Sequence, residues 1–118
     1  MINTNSLKPR DIVLANPEYP DQKEQKIRPL LVISQQLFHQ NSRYVVCLGV
    51  TTNTQVRPYL IHMPRKEIED GELISDSQIM CERIVSLRQD KLSKRIATVT
   101  PEFYQNVIEK LKKDVLQI

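Results

Sequence analysis

The side chains best suited to polar chemistry in this chain are its arginines and lysines. They recur singly at Lys23, Lys26, Arg28, Arg57, Arg65, Arg83, Arg88, Lys94 and Arg95, beside strand-like runs and in the segments between them. A guanidinium stays charged at any working pH and donates two parallel hydrogen bonds to a phosphate or carboxylate. The chain carries 17 Lys and Arg against 14 Asp and Glu, a formal charge of +3, with a pI near 9.0. That excess permits an anionic partner without requiring one, and the same residues serve equally well as solvated surface. Cys47 and Cys81 each sit inside an apolar run, which suits buried reduced thiols better than a disulfide scaffold or a metal site. His39 and His62 are far apart and outside any HExxH pattern, so spacing argues for no metal site. Any catalysis is expected to run without a metal or other cofactor.

The elements that must position these groups are short. At 118 residues, with 40% apolar and 26% charged residues, the composition fits a single folded domain, 1–118. No stretch approaches the about 20 apolar residues that span a bilayer, and Met1 to Lys8 lacks the apolar core of a signal peptide, so a cytoplasmic protein is expected. Asp11 to Ala15 reads as a strand between Pro9 and Asn16-Pro17. Asn16 to Ile27, with its Tyr19-Pro20-Asp21 turn and the polar run Gln22 to Lys26, reads as a long, mobile, exposed loop. Leu30 to Ser34 and Tyr44 to Val50 are continuous apolar strands. Tyr59 to Met63, Ile79 to Leu87 and Arg95 to Val99 bring the set to about six, with Glu69-Asp70-Gly71 as an acidic turn. Short strands at this spacing suggest a mostly β fold, a small barrel or sandwich, in which closure would remove exposed edges. The one helix that declares itself is the last. Thr100 suits the N-cap, Pro101 the first helical position and Glu102 the positive end of the dipole. Phe103, Val107, Leu111 and Val115, with Ile108 alongside, form an apolar stripe opposite Lys110, Lys112 and Lys113, fit to cover the barrel.

Four blocks carry a resemblance. Asp11-Ile12-Val13-Leu14, then Arg28-Pro29-Leu30-Leu31-Val32-Ile33-Ser34, then Val50-Thr51-Thr52 resemble the opening of MazF/PemK-family toxins of type II toxin-antitoxin systems. Gly71 with Asp76-Ser77-Gln78-Ile79 to Leu87, followed by Leu92 and the terminal helix, is similar to the rest. The chain departs from the family pattern where Arg10 replaces a glycine, and where Lys23-Glu24-Gln25-Lys26-Ile27 replaces a glycine- and acid-rich loop. That loop also lacks the histidine some members carry.

The resemblance implies an SH3-like, PemK-type β-barrel with a C-terminal helix, and a metal-independent endoribonuclease that inhibits translation and growth. In that reaction the 2′-hydroxyl of single-stranded RNA attacks the adjacent phosphate, leaving a cyclic phosphate and a 5′-hydroxyl. The family's catalytic arginine falls on Arg28 and its catalytic threonine or serine on Thr51. Arg28 would stabilise phosphorane charge, and Thr51 would orient the phosphate or the 2′-hydroxyl. Glu82 stands where some relatives have a functional acid, fit to take the proton if its environment raises its pKa. Thr52, Gln78 and Arg83 are expected beside them, with Lys26 and Arg57 on RNA-binding loops. The recognised RNA motif would be written in the segments Asn16 to Ile27 and Asn53 to Pro58. The resemblance further implies a homodimer and a cognate antitoxin that threads an acidic tail through the RNA groove. Read without the family, Arg28 is equally a surface cation, Thr51 a turn residue, Glu82 a solvent-facing strand position, and His39 and His62 structural or surface residues. Two other functions remain open. One is a non-catalytic SH3-like module binding nucleic acid or protein, though four tyrosines and two phenylalanines make a poor aromatic groove. The other is a relative that poisons gyrase.

Overall fold

The computed structural model describes residues 6–53, 57–73 and 75–118. Residues 54–56, inside the expected recognition segment Asn53 to Pro58, lie outside the described set. Seven strands form one antiparallel sheet: β1 Asp11–Ala15, β2 Arg28–Val32, β3 Tyr44–Thr51, β4 Leu60–Met63, β5 Ile68–Gly71, β6 Ser77–Arg88 and β7 Lys94–Val99. Their order across the sheet is β4-β6-β3-β2-β1-β7-β5. The sheet curls into a half-barrel, and its edge strands β4 and β5 do not pair with each other among the described residues, so the closure expected from strand spacing is incomplete.

The central strands are apolar on both faces because both faces are covered. Successive side chains of a strand point to opposite sides. Leu31, Leu48, Val50, Ile79 and Cys81 therefore enter one core, while Leu30, Val32, Val45, Cys47 and Leu87 enter a second. The first core lies under the terminal helix α2, Pro101–Lys110, which continues as a π-helical segment Leu111–Leu116. The expected stripe faces it: Phe103, Val107 and Leu111 are buried there and Val115 packs against them. Thr100 caps the helix, its Oγ1 accepting from Phe103 N at 3.2 Å and donating to Glu67 at 2.9 Å.

Several sequence readings need correction. Glu69-Asp70-Gly71 is an edge strand rather than a turn. Its pairing with β7 supplies the order that its polar composition does not suggest. Gly71 sits at φ +81°, and a Cβ there would lie 2.2 Å from Ile96 O, so only glycine fits this crossing. A short helix α1, Gln36–Asn41, was not legible as one. The second strand begins at Arg28 and ends at Val32, two residues earlier than its apolar run suggests. Arg10, where the family pattern has glycine, holds φ +84°. Its guanidinium donates to Val99 O at 2.8 Å and so ties that strained backbone to β7. The neighbouring Asp11 is fully buried, its carboxylate taken up by Lys8, Arg95 and Thr98, so the acid of that block is a structural tie.

Candidate active site

Arg28 opens β2, and its side chain points to the same face as Leu30 and Val32. The β2-β3 register pairs Leu30 with Gly49. Carried two residues further, it sets Arg28 opposite Thr51, so the two residues singled out by the family pattern become cross-strand neighbours. On the other side of β3, Thr51 pairs with Gln78 of β6, whose side-chain amide donates to Asn53 O at 2.8 Å and ties down the chain leaving β3.

The β3-β6 ladder breaks between Leu48 and Gly49. Leu48 pairs with Ile84 but Gly49 pairs with Met80, leaving residues 81–83 as an extended bulge. Bulges of this kind re-aim side chains. Here the bulge turns Arg83 onto the face of Arg28 and Thr51, and sends Glu82 outward to pair with Arg57 at 3.3 Å.

These groups surround a cavity of about 270 Å³ lined by Arg28, Thr51, Asn53, Arg57, Met80 and Arg83 from the sheet side. The segment between β1 and β2 supplies the opposite wall with Tyr19, Asp21 and Gln22. That segment is exposed, as expected, at Glu18, Pro20, Asp21 and Lys23 to Ile27, but it is fastened at several points on its cavity side. Pro17 is buried and Tyr19 half-buried. Asn16 Oδ1 accepts from Glu18 N at 3.0 Å and from the Gln22 amide at 2.8 Å. Asp21 takes a bidentate pair from Arg83 at 2.9 and 2.5 Å. The Arg83 guanidinium also lies 4.7 Å from the Tyr19 ring centroid, a cation–π contact.

Electrostatics follow from this packing. The hydrogen bonds from Arg83 hold the Asp21 carboxyl below its ordinary pKa, and the same pair raises that of Arg83. Burial raises the pKa of the Tyr19 phenol, outweighing the opposite pull of Arg83 and Arg28, so it stays protonated at neutral pH. Among the described residues, Tyr19 Oη, Gln22 Oε1, Arg28 Nε and Arg57 Nε are buried polar atoms without a hydrogen-bond partner. All four residues line this one cavity. Buried polar atoms are nearly always paired with protein or water, so their convergence marks a polar cavity that water or a polar ligand would fill.

Of the residues expected from sequence, Arg28, Thr51, Arg57 and Arg83 meet here. Gln78 lies beside them, and Glu82 stands behind Arg57 without lining the cavity. Thr52, one residue on, lines a separate cleft with Leu14, Pro29, Leu73 and Ile96. Lys26 is exposed and does not line the cavity. His39 is buried between Ser34 Oγ and Leu7 O, and His62 is exposed on β4. Cys47 and Cys81 are buried free thiols, and burial pushes Cys47 to about 12. Sequence reasoning missed Tyr19, Asp21, Gln22 and Gly49. No spacing rule could find a loop residue whose partner lies 62 positions away.

A family model described as PemK-like, MazF-like toxin of type II toxin-antitoxin system matches residues 8–114. No curated protein matches the chain. Among solved structures, MazF from Deinococcus radiodurans superposes with a TM-score of 0.76 at 17% identity, covering 95% of this chain and 97% of that one. An endoribonuclease in complex with its cognate antitoxin from a mycobacterial species gives 0.75 at 16%, covering 96% and 98%. The Mycobacterium tuberculosis toxin MazF-mt6 gives 0.70 at 16%, covering 88% and 94%. At such identities the likeness speaks to the fold.

Proposed function

Since the chain belongs to the family of PemK-like, MazF-like toxins of type II toxin-antitoxin systems, we propose that it is an endoribonuclease that cuts single-stranded RNA without a metal ion. The observation that carries this reading is the convergence of Arg28, Thr51 and four unpaired buried polar atoms on one cavity. Three arginines face the space where a phosphate would sit, and Thr51 supplies a hydroxyl beside Arg28. In the proposed reaction the 2′-hydroxyl gives up its proton and O2′ bonds to phosphorus. The P–O5′ bond then breaks, and O5′ takes a proton from solvent, leaving a cyclic phosphate and a 5′-hydroxyl. Arg28 neutralises charge on the phosphorane, and Thr51 orients the attacking hydroxyl or the phosphate. We assign the acceptance of the 2′ proton to Glu82, which must leave its pair with Arg57 and turn into the cavity that it does not line in this structure.

The mycobacterial relative was solved with its cognate antitoxin, and an antitoxin with an acidic segment is the partner we propose here. Asp21 already models how a carboxylate occupies Arg83. Arg57 and Arg83 are our RNA contacts nearest the scissile phosphate, with Gln78, Lys26 and Thr52 further along the strand. A homodimer is part of the same proposal.

The test is cleavage of a long unstructured RNA in EDTA by the wild type, Arg28→Ala and Thr51→Ala, each checked by circular dichroism for intact folding. Discrete cuts that both substitutions abolish support the reading. Equal cutting by all three moves the chemistry elsewhere. Binding without cutting by the wild type favours a non-catalytic nucleic-acid module, and poisoning of gyrase in a supercoiling assay would point to the other alternative.

A further inference from the structure

The segment between β1 and β2 brings Tyr19, Asp21 and Gln22 to the cavity, and neither the strand pattern nor the family blocks indicate them. Tyr19 Oη is buried and has no hydrogen-bond partner among the described residues, although the phenol lines the same cavity as Arg28 and Thr51. A buried phenolic hydroxyl normally finds a partner. Its position is held from three directions. The ring stacks under the Arg83 guanidinium at 4.7 Å. Asp21, two residues on, grips that same arginine with both oxygens. The hydroxyl itself sits over Gly49, where an added Cβ would lie 2.2 Å away, so only the absence of a side chain at 49 lets the phenol reach this depth.

Resting on the ribonuclease reading, we propose that Tyr19 is a further catalytic residue whose hydroxyl donates a hydrogen bond to a non-bridging oxygen of the scissile phosphate. The donor is prepared in advance. The Arg83 guanidinium and the bare backbone of Gly49 set where its ring lies, and among the described residues no internal acceptor competes for its proton. A donor placed before the reaction stabilises charge as it develops, at no cost of reorganisation. Burial keeps the phenol protonated, so the hydroxyl acts as donor rather than base, and no bond to its hydrogen need break. Arg28 covers the phosphate from the strand side and Tyr19 from the loop side, which gives the loop a catalytic part in addition to any role in sequence choice.

The test uses the full chain and a short RNA bearing one mapped cut site, prepared with a normal linkage and as each of the two phosphorothioate diastereomers at that site. Tyr19→Phe keeps the ring and its contact with Arg83 and removes only the hydroxyl. We expect its melting temperature to match the wild type and its kcat to fall about 10- to 100-fold with KM little changed. In the wild type one diastereomer is slowed more than the other, and Tyr19→Phe loses that difference, because sulfur accepts the phenol's hydrogen bond poorly. Wild-type rates in Tyr19→Phe, or an unchanged diastereomer difference at reduced kcat, overturn the assignment while Arg28→Ala still tests the ribonuclease reading. Failure of the wild type to cut any RNA overturns both.

Discussion

Replacing Gly49 with alanine tests whether the phenol of Tyr19 depends on a missing side chain. The new Cβ would lie 2.2 Å from Tyr19 Oη, 2.7 Å from Met80 Cε and 3.2 Å from Arg83 Cβ. The first two are far ends of flexible side chains, so two responses compete. Shifting the β3 backbone disturbs ladders to β2 and β6 and both cores, with the about 1–3 kcal/mol cost of overpacking as a lower bound. Swinging Tyr19 out forfeits a cation–π contact of about 0.5–1 kcal/mol and about 1 kcal/mol of buried ring surface. Alanine in a strand returns about 0.5–1 kcal/mol relative to glycine. The loop therefore gives way first, at a net cost of about 1 kcal/mol, or about 3–5 °C in melting temperature for a chain of this size. Thermal unfolding should show that modest loss while cleavage falls to the level of Tyr19→Phe. In a Tyr19→Ala background Gly49→Ala should cost less, with a coupling of about 0.5 kcal/mol or more. Equal destabilisation in both backgrounds with unaltered cleavage would refute the argument that Gly49 is there to seat Tyr19.

Gly71→Ala should be far more damaging, because its Cβ meets backbone, Ile96 O at 2.2 Å, at a φ of +81°. Left-handed strain and overpacking together predict a loss of about 3 kcal/mol in denaturant titration. Thr100→Ala removes the cap that accepts from Phe103 N and the link to Glu67. It should cost about 1–2 kcal/mol, with Thr100→Ser recovering most of it. The Asp21 carboxyl is lowered from its ordinary 3.8 by its hydrogen bonds from Arg83. Its stabilising effect is therefore complete above about pH 4 and is lost as pH falls through the still lower folded value. Protease susceptibility of the β1-β2 segment should accordingly be flat from pH 5 to 9, and Asp21→Asn should raise it across that whole range. A wild-type transition near neutrality would show that another group holds the segment.

The sequence by itself determined the strand repertoire of the centre and the terminal helix. Each rests on local information. Continuous apolar runs at Leu30 and Tyr44 need two covered faces, and Thr100-Pro101-Glu102 marks a helix start through backbone donors within one turn. Family spacing added the chemistry, since nothing in a lone Arg-Pro or Val-Thr distinguishes a catalytic group from a surface one. The edge strand Ile68–Gly71 was not legible, because its order comes from β7 and not from its own acidic residues. Nor was helix α1 legible, for six residues carry too little periodicity. Only the tertiary structure decided where Glu82 and Arg83 point, because a three-residue bulge set by register across β3 and β6 reverses what simple alternation predicts. Only the tertiary structure placed Tyr19 and Asp21 in the cavity of Arg28 and Thr51 as well. Their partners are a glycine 30 positions on and an arginine 62 positions from Asp21. Such contacts arise from the way the sheet curls beneath the loop, and no local pattern in the chain encodes that curvature.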